Sequence, residues 1–223
     1  MSPVVLTPLV SADVALFSVG EGVLQVLLVQ RALDPHKGAW ALPGAVLKPD
    51  VDRNLEATAR RALRGKLDIE VPYLQQVKTF DGADRDPRGW SLSVLYYALQ
   101  PRDLVTARPA SRVEKIQWAA ADGPPKLAFD HGEQLTAARS VLREKVRNAL
   151  PLHLMPSKFT LTQLQRVCEL ILTTDRRAPA ALDKGAFRRR WAQSPDLLPI
   201  PDEFETGVQR PAQLYRAAPG FQF

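Results

Sequence analysis

Four cationic side chains fall within the run Arg60-Arg61-Ala62-Leu63-Arg64-Gly65-Lys66, downstream of the apolar loop Gly38-Ala39-Trp40-Ala41-Leu42-Pro43-Gly44. Residues three and four apart share a helix face, so Arg61, Arg64 or Lys66 is placed to neutralise a pyrophosphate directly. Magnesium-assisted chemistry asks for the opposite, carboxylates on one helical turn, because the ion takes oxygen ligands and is repelled by an ammonium. Asp50, Asp52, Glu56 and Asp68 lie nearby but supply no such pair on the helix, so neither a metal site nor a catalytic residue is expected. The competing reading is a pocket that binds nothing nucleotide-like, with its cations solvated or paired locally, as Glu56 with Arg60 at i,i+4. Arg31, at the end of an apolar strand, is a further candidate anion contact. Cys168 is the single cysteine and has only His36, His131 and His153 for company, which excludes a disulfide framework and offers no metal cluster.

Several elements must position these groups. Residues 14–19 and 24–29 are β-rich runs joined by Gly20-Glu21-Gly22, which supplies the positive φ of a tight hairpin. Asn54 caps a helix with Leu55, Ala59, Ala62 and Leu63 on its apolar side, and Gly65 is expected to end it in a left-handed cap. Strands are expected at 73–80, 91–98 and 113–118. Asp130-His131-Gly132-Glu133 has the form of a capping box, after which Leu135, Ala138, Leu142, Val146 and Ala149 recur at helical spacing. His131 is a pocket candidate, weighed against a structural histidine near a cap. Trp40, Pro43 and Gly44 fix the loop's shape, and Tyr96 and Tyr97 alternate across a strand, so at most one faces the pocket. Pro151 and Pro156 deny helix continuation and divide the chain into domains 1–150 and 151–223.

In the second domain, Thr162 and Gln165 form a capping pattern before Leu164, Cys168 and Ile171. A second helix follows Asp183, with Phe187 and Trp191 on one face, Arg189 nearly opposite, and Arg188 and Arg190 on the flanks. Residues 194–200 and 212–216 read as two strands of a wing, with Arg210 at the return. A helix with an aromatic edge inward and guanidinium groups outward suits the major groove of DNA. The plainer reading is solvated charge on a surface helix. The net charge of +6 favours a polyanionic partner, although many basic enzymes bind no nucleic acid. Without a long apolar run or a signal-like start, a cytoplasmic location and no membrane partner are expected.

Taken together, the segments resemble the NAD-related Nudix-type transcriptional regulators, the NrtR family. The likeness is carried by DVALFSV, LQVLLVQRA, GAWALPG, TFDGADRDPRGWSLSVLYYAL and LAFDHGEQL, then by FTLTQLQRVCELIL, LDKGAFRRR and RPAQLYR. Laid on the Nudix pattern G-x5-E-x7-R-E-U-x-E-E-x-G-U, the arginine is Arg61 and the magnesium-binding glutamates become Ala62, Gly65 and Lys66. Ala45 replaces the first glycine, the loop holds two extra residues, and the early glutamate falls near Arg53.

The resemblance implies an α+β fold: a Nudix-like α/β/α sandwich with a mixed sheet, followed by a winged helix-turn-helix domain. It implies a homodimeric regulator, a repressor, that binds operator DNA and senses a nucleotide-sugar such as ADP-ribose, with no cofactor. Phe80 would stack on the ligand and Arg85 or Arg88 would contact phosphate, beside Arg31, Arg61, Lys66 and His131, although residues 81–88 also read as an ordinary polar turn. Lys158, Thr162, Lys184, Arg188, Arg189, Arg190 and Arg210 would face DNA. The alternatives are a sugar-responsive regulator, a hydrolase of nucleoside diphosphate derivatives, and a module that contacts a protein partner.

Overall fold

A computed structural model describes residues 7–109, 112–173, 180–205 and 211–223. Strands β1 (Leu9–Gly20) and β2 (Val23–Arg31) form the first hairpin, with Phe17 opposite Val26. Its turn places Glu21 and Gly22 at φ 53° and 72°, the handedness that matches strand twist. β1 begins five residues before the local pattern predicts, because it pairs in parallel with β6 (Ser91–Leu99) from Leu9 opposite Ser91 onward. The mixed sheet has seven strands. Its main path runs β3 (Trp40–Ala41), β2, β1, β6, β5 (Leu74–Gly82), with β4 (Gly44–Val46) on β1 and β7 (Val113–Ala120) on β2.

The period-2 alternation of β1, β2 and β6 sends apolar side chains to both faces, so each face needs a helix. Val14, Leu16, Leu27, Val29, Val94 and Tyr96 pack with Ala59, Leu63 and Leu67 of helix α1 (Leu55–Leu67). Ala15, Phe17, Val26, Leu28, Leu95 and Tyr97 pack with Leu135, Ala138, Leu142 and Val146 of α2 (His131–Val146). Each such leucine contributes on the order of 2 kcal/mol by leaving water.

Asn54 caps α1, accepting from the Ala57 N–H at 2.8 Å. The expected stop at Gly65 is overturned. The helix continues to Leu67, and Asp68, at the position of the Nudix pattern's own glycine, takes the left-handed conformation (φ 57°). A short polar side chain tolerates that conformation better than most. The capping box at Asp130 also fails: its backbone is not extended, and its carboxylate binds Arg85 and Gln134 instead.

The second core does not close at Pro151. Leu150, Leu152, Leu154 and Met155 continue the α2 side of the sheet into Phe159, Leu164, Cys168, Ile171, Phe187, Leu197 and Phe223, one contiguous apolar cluster. Here strands β8 (Phe159–Thr160), β9 (Leu197–Glu205) and β10 (Ala212–Ala217) form an antiparallel sheet in the order β8-β10-β9, beside α3 (Leu161–Leu172) and α4 (Lys184–Trp191). The α3 capping box is two residues earlier than expected: Thr160 Oγ1 accepts from the Gln163 N–H, and Gln163 Oε1 accepts from the Thr160 N–H. Gln165 instead ties α3 to the segment before α4, donating to the Leu182 carbonyl at 2.8 Å. The α4 start is as predicted, with Asp183 accepting from the Ala186 N–H.

Candidate ligand cavity and winged-helix face

Pairing of β4 with β1 holds the loop after β3 against the C-terminal half of α1, and a cavity of about 550 Å³ opens between them. Its helix wall is Arg61, Ala62, Gly65 and Lys66, so the three positions where the Nudix pattern carries glutamates face the cavity. Other walls come from Asp13, Arg31, Gly44, Val46, Phe129 and His131, and from Arg85, Asp86 and Arg88 of the β5–β6 loop. Among the described residues, no three His, Cys, Asp or Glu side chains group as a metal site.

The predicted cations differ in their engagement. Arg61 grips Asp52 through Nε to Oδ1 (2.7 Å) and Nη2 to Oδ2 (2.6 Å), and also donates to the Val46 carbonyl. The Lys48 N–H and the Thr58 hydroxyl add donors to Asp52, so its carboxylate lies far below the usual range, chiefly through the Arg61 bonds. Arg61 lines the cavity as expected of a ligand contact, and its fork also locks the loop onto α1. Arg64 turns from the cavity towards exposed Glu70, and Glu56 pairs with Arg60 as the spacing predicts. Arg85 is partly buried, bidentate on Asp130 at 2.9 Å for both bonds, and donates to Ser91 Oγ. Arg88 stands half-exposed over Asp86. Burial raises the Asp86 carboxyl, but bonds from Arg88 outweigh it and the net shift is downward.

Arg31 is held by neutral groups: Nε donates to the Pro35 carbonyl at 2.7 Å, and the guanidinium lies 4.8 Å from the Phe129 ring centroid. Lys66 is half-buried, with no hydrogen bond or ion pair among the described residues, and burial pushes its ammonium down to about 8. Lys48 and Arg112, which the sequence reading did not single out, complete the cationic lining.

His131 faces the cavity and is also a structural histidine. Its Nδ1 accepts from the Leu42 N–H at 2.9 Å, which requires the neutral ring there, and burial lowers its pKa. Its Nε2 lies 3.6 Å from Asp13, a third lining residue the sequence reading missed. Asp13 sits on β1 opposite Gly44 and accepts from Ser93 Oγ (2.6 Å) and Gln134 Nε2 (3.3 Å). Only a residue without Cβ fits at Gly44, where that atom would stand 1.8 Å from Asp13 Oδ1. Phe80 lines a neighbouring cavity of about 850 Å³ with Asp81, Asp84, Arg85 and Phe129, and Lys78 lies over its ring. Neither Tyr96 nor Tyr97 lines the first cavity; they are core side chains on opposite faces of the sheet.

On α4, Phe187 is buried, while Lys184, Arg188, Arg189 and Arg190 are exposed. Arg190 leans back: its guanidinium lies over Trp191, and Nη2 donates to Asn148 Oδ1 at 3.4 Å, beyond the end of α2. Lys158 is exposed and pairs with Glu203 of β9, and Thr162 is exposed on α3. Arg210 lies outside the described residues. No helix among the described residues is long and apolar enough to cross a membrane.

Comparison with known proteins joins the two halves. Residues 7–138 match the NUDIX domain, and residues 151–217 match the NrtR DNA-binding winged helix domain. The chain is 43% identical over 215 residues to the ADPR responsive transcriptional repressor NtrR of Acinetobacter baylyi, covering 95% of this chain and 83% of that protein. It is similar to Shewanella oneidensis NrtR in complex with a 27mer DNA (TM-score 0.81, 33% identity, 94% of each chain). The NUDIX domain of that protein complexed with ADP ribose matches 61% of this chain and 90% of its own (TM-score 0.57, 36% identity). With a Nudix sandwich, a winged helix and this likeness along nearly its whole length, the chain belongs to the NrtR family.

Proposed function

We propose that this protein is a DNA-binding transcriptional repressor whose Nudix domain, residues 1–150, binds ADP-ribose and whose winged helix, residues 151–223, binds operator DNA. One observation carries the reading beyond likeness: a cavity of nucleotide-sugar size is walled by cations, and α1 turns Ala62, Gly65 and Lys66 into it where carboxylates would hold magnesium. Such a site recognises a diphosphate without cleaving it. Magnesium-dependent hydrolysis of ADP-ribose at enzymatic rates would overturn the reading in favour of a hydrolase. The name of the Acinetobacter relative favours ADP-ribose over a simple sugar.

The protein acts as a homodimer whose two winged helices read half-sites about one helical turn, or a multiple of it, apart. Arg188 and Arg189, which are exposed on α4 while Arg190 leans back onto Trp191 and Asn148, carry phosphate contacts. On a duplex selected by this protein from random sequence, replacing both by alanine lowers affinity and flattens its salt dependence by roughly 0.9 in log–log slope per lost contact. Unchanged DNA affinity would point to a protein partner instead. Sedimentation at micromolar concentration, with and without DNA, checks the dimer.

A further inference from the structure

The effector reading leaves open what replaces the magnesium charge, and the inference rests on that reading. We propose that Lys66 and Arg31 form a metal-independent clamp for the diphosphate of the ligand.

Arg61 and Arg85 are each bidentate on a carboxylate, Arg88 lies on Asp86, and Arg64 pairs with Glu70 away from the cavity. Arg31 is fixed by the carbonyls of Leu33 and Pro35 and by the face of Phe129, which orient a guanidinium without neutralising it. Lys66 makes no hydrogen bond or ion pair among the described residues, Asp13 being the charge that attracts it; Lys48 and Arg112 line the cavity too, but Lys66 occupies a position where the Nudix pattern carries a glutamate. Around it the helix wall is bare: position 62 carries a methyl group, and at Gly65 even an added Cβ would meet nothing within 4 Å.

A divalent cation entering here would meet positive charge on Lys66 and Arg31 and two carboxylates already engaged, Asp13 accepting from Ser93 and Gln134 and Asp86 from Arg88. An anion meets the reverse. A half-buried ammonium crowded by Arg31, Arg61 and Arg112 is relieved when negative charge enters beside it.

The sign of the pH effect follows. A bound diphosphate raises the Lys66 pKa, so affinity is full at neutral pH and falls as pH rises through about 8, where the free protein loses that proton. The other groups that face Lys66 do not reproduce this fall. The carboxylates of Asp130 and Asp86, beneath Arg85 and Arg88, are held ionised by those guanidinium groups, guanidinium groups stay charged in this range, and burial keeps His131 of α2 neutral on both sides.

Titration calorimetry with ADP-ribose and with inorganic pyrophosphate, each in EDTA and in magnesium, tests the clamp. Both ligands are expected to bind equally well in EDTA, and Lys66→Gln weakens both by roughly tenfold or more, the scale of a charge-assisted hydrogen bond. Lys66→Arg retains the affinity and loses its decline in alkaline buffer. Lys66→Met preserves the aliphatic stem should the glutamine variant not fold. ADP-ribose binding that requires magnesium, or that Lys66→Gln leaves intact, overturns the clamp and leaves the effector reading standing. Pyrophosphate bound through Lys66 without any ADP-ribose binding supports the clamp and removes the nucleotide. Failure of both ligands removes both ideas.

Discussion

At Gly44 a single methyl group would collide with Asp13 Oδ1 and come within 3.1 Å of the Ala12 carbonyl. Gly44→Ala therefore lowers stability by about 1–3 kcal/mol, the usual cost of overpacking, and should lower the melting temperature while Ala45→Gly does not. Asp52 gives a pH signature. Its folded pKa is depressed by Arg61, so its contribution is complete above the ordinary carboxylate value and is lost as pH falls towards the depressed one. Denaturant titrations should find the wild type losing stability in acid more steeply than Asp52→Asn, which starts lower because Arg61 keeps no carboxylate partner. Asp13 was not legible as a site residue: a lone acid between Ala12 and Val14 has no local spacing to flag it. Only the β1–β4 register and the distant Ser93, Gln134 and His131 reveal its place.

Among the elements, those fixed by neighbours in sequence were read well. Asn54 and Asp183 cap the helices they were expected to cap, and the 3.6-residue recurrence of Leu135, Ala138, Leu142 and Val146 is the buried stripe of α2. Errors fell where a distant partner or a competing turn decides. β1 is lengthened by β6, Asp130 is drawn from its cap by Arg85 from the β5–β6 loop, and the α3 box moved to Thr160 because that residue is extended in β8. Thr160→Ala removes the acceptor for the Gln163 N–H and should cost about 1 kcal/mol, read from the denaturation midpoint. Phe187→Ala opens the α4 face against α3 and should cost about 3–5 kcal/mol, reducing DNA binding by unfolding instead of by charge.

For the molecule as a whole, the unbroken cluster from Phe17 through Leu142, Leu152 and Leu164 to Phe187 predicts joint melting of sandwich and winged helix. Scanning calorimetry should record one cooperative transition; two resolved peaks would separate the domains thermodynamically. α2 spans this union. Its first residues, His131 and Gln134, touch the cavity wall and Asp13, and about 24 Å further on Val146 and the neighbouring Asn148 abut α3 and α4. A rod anchored at both ends communicates in both directions. If occupancy of the cavity changes the hold on DNA by some factor, vacant and filled operators must tune ligand affinity by that same factor. The sensor's set point would then depend on how many binding sites the genome offers, a dosage effect built into one helix.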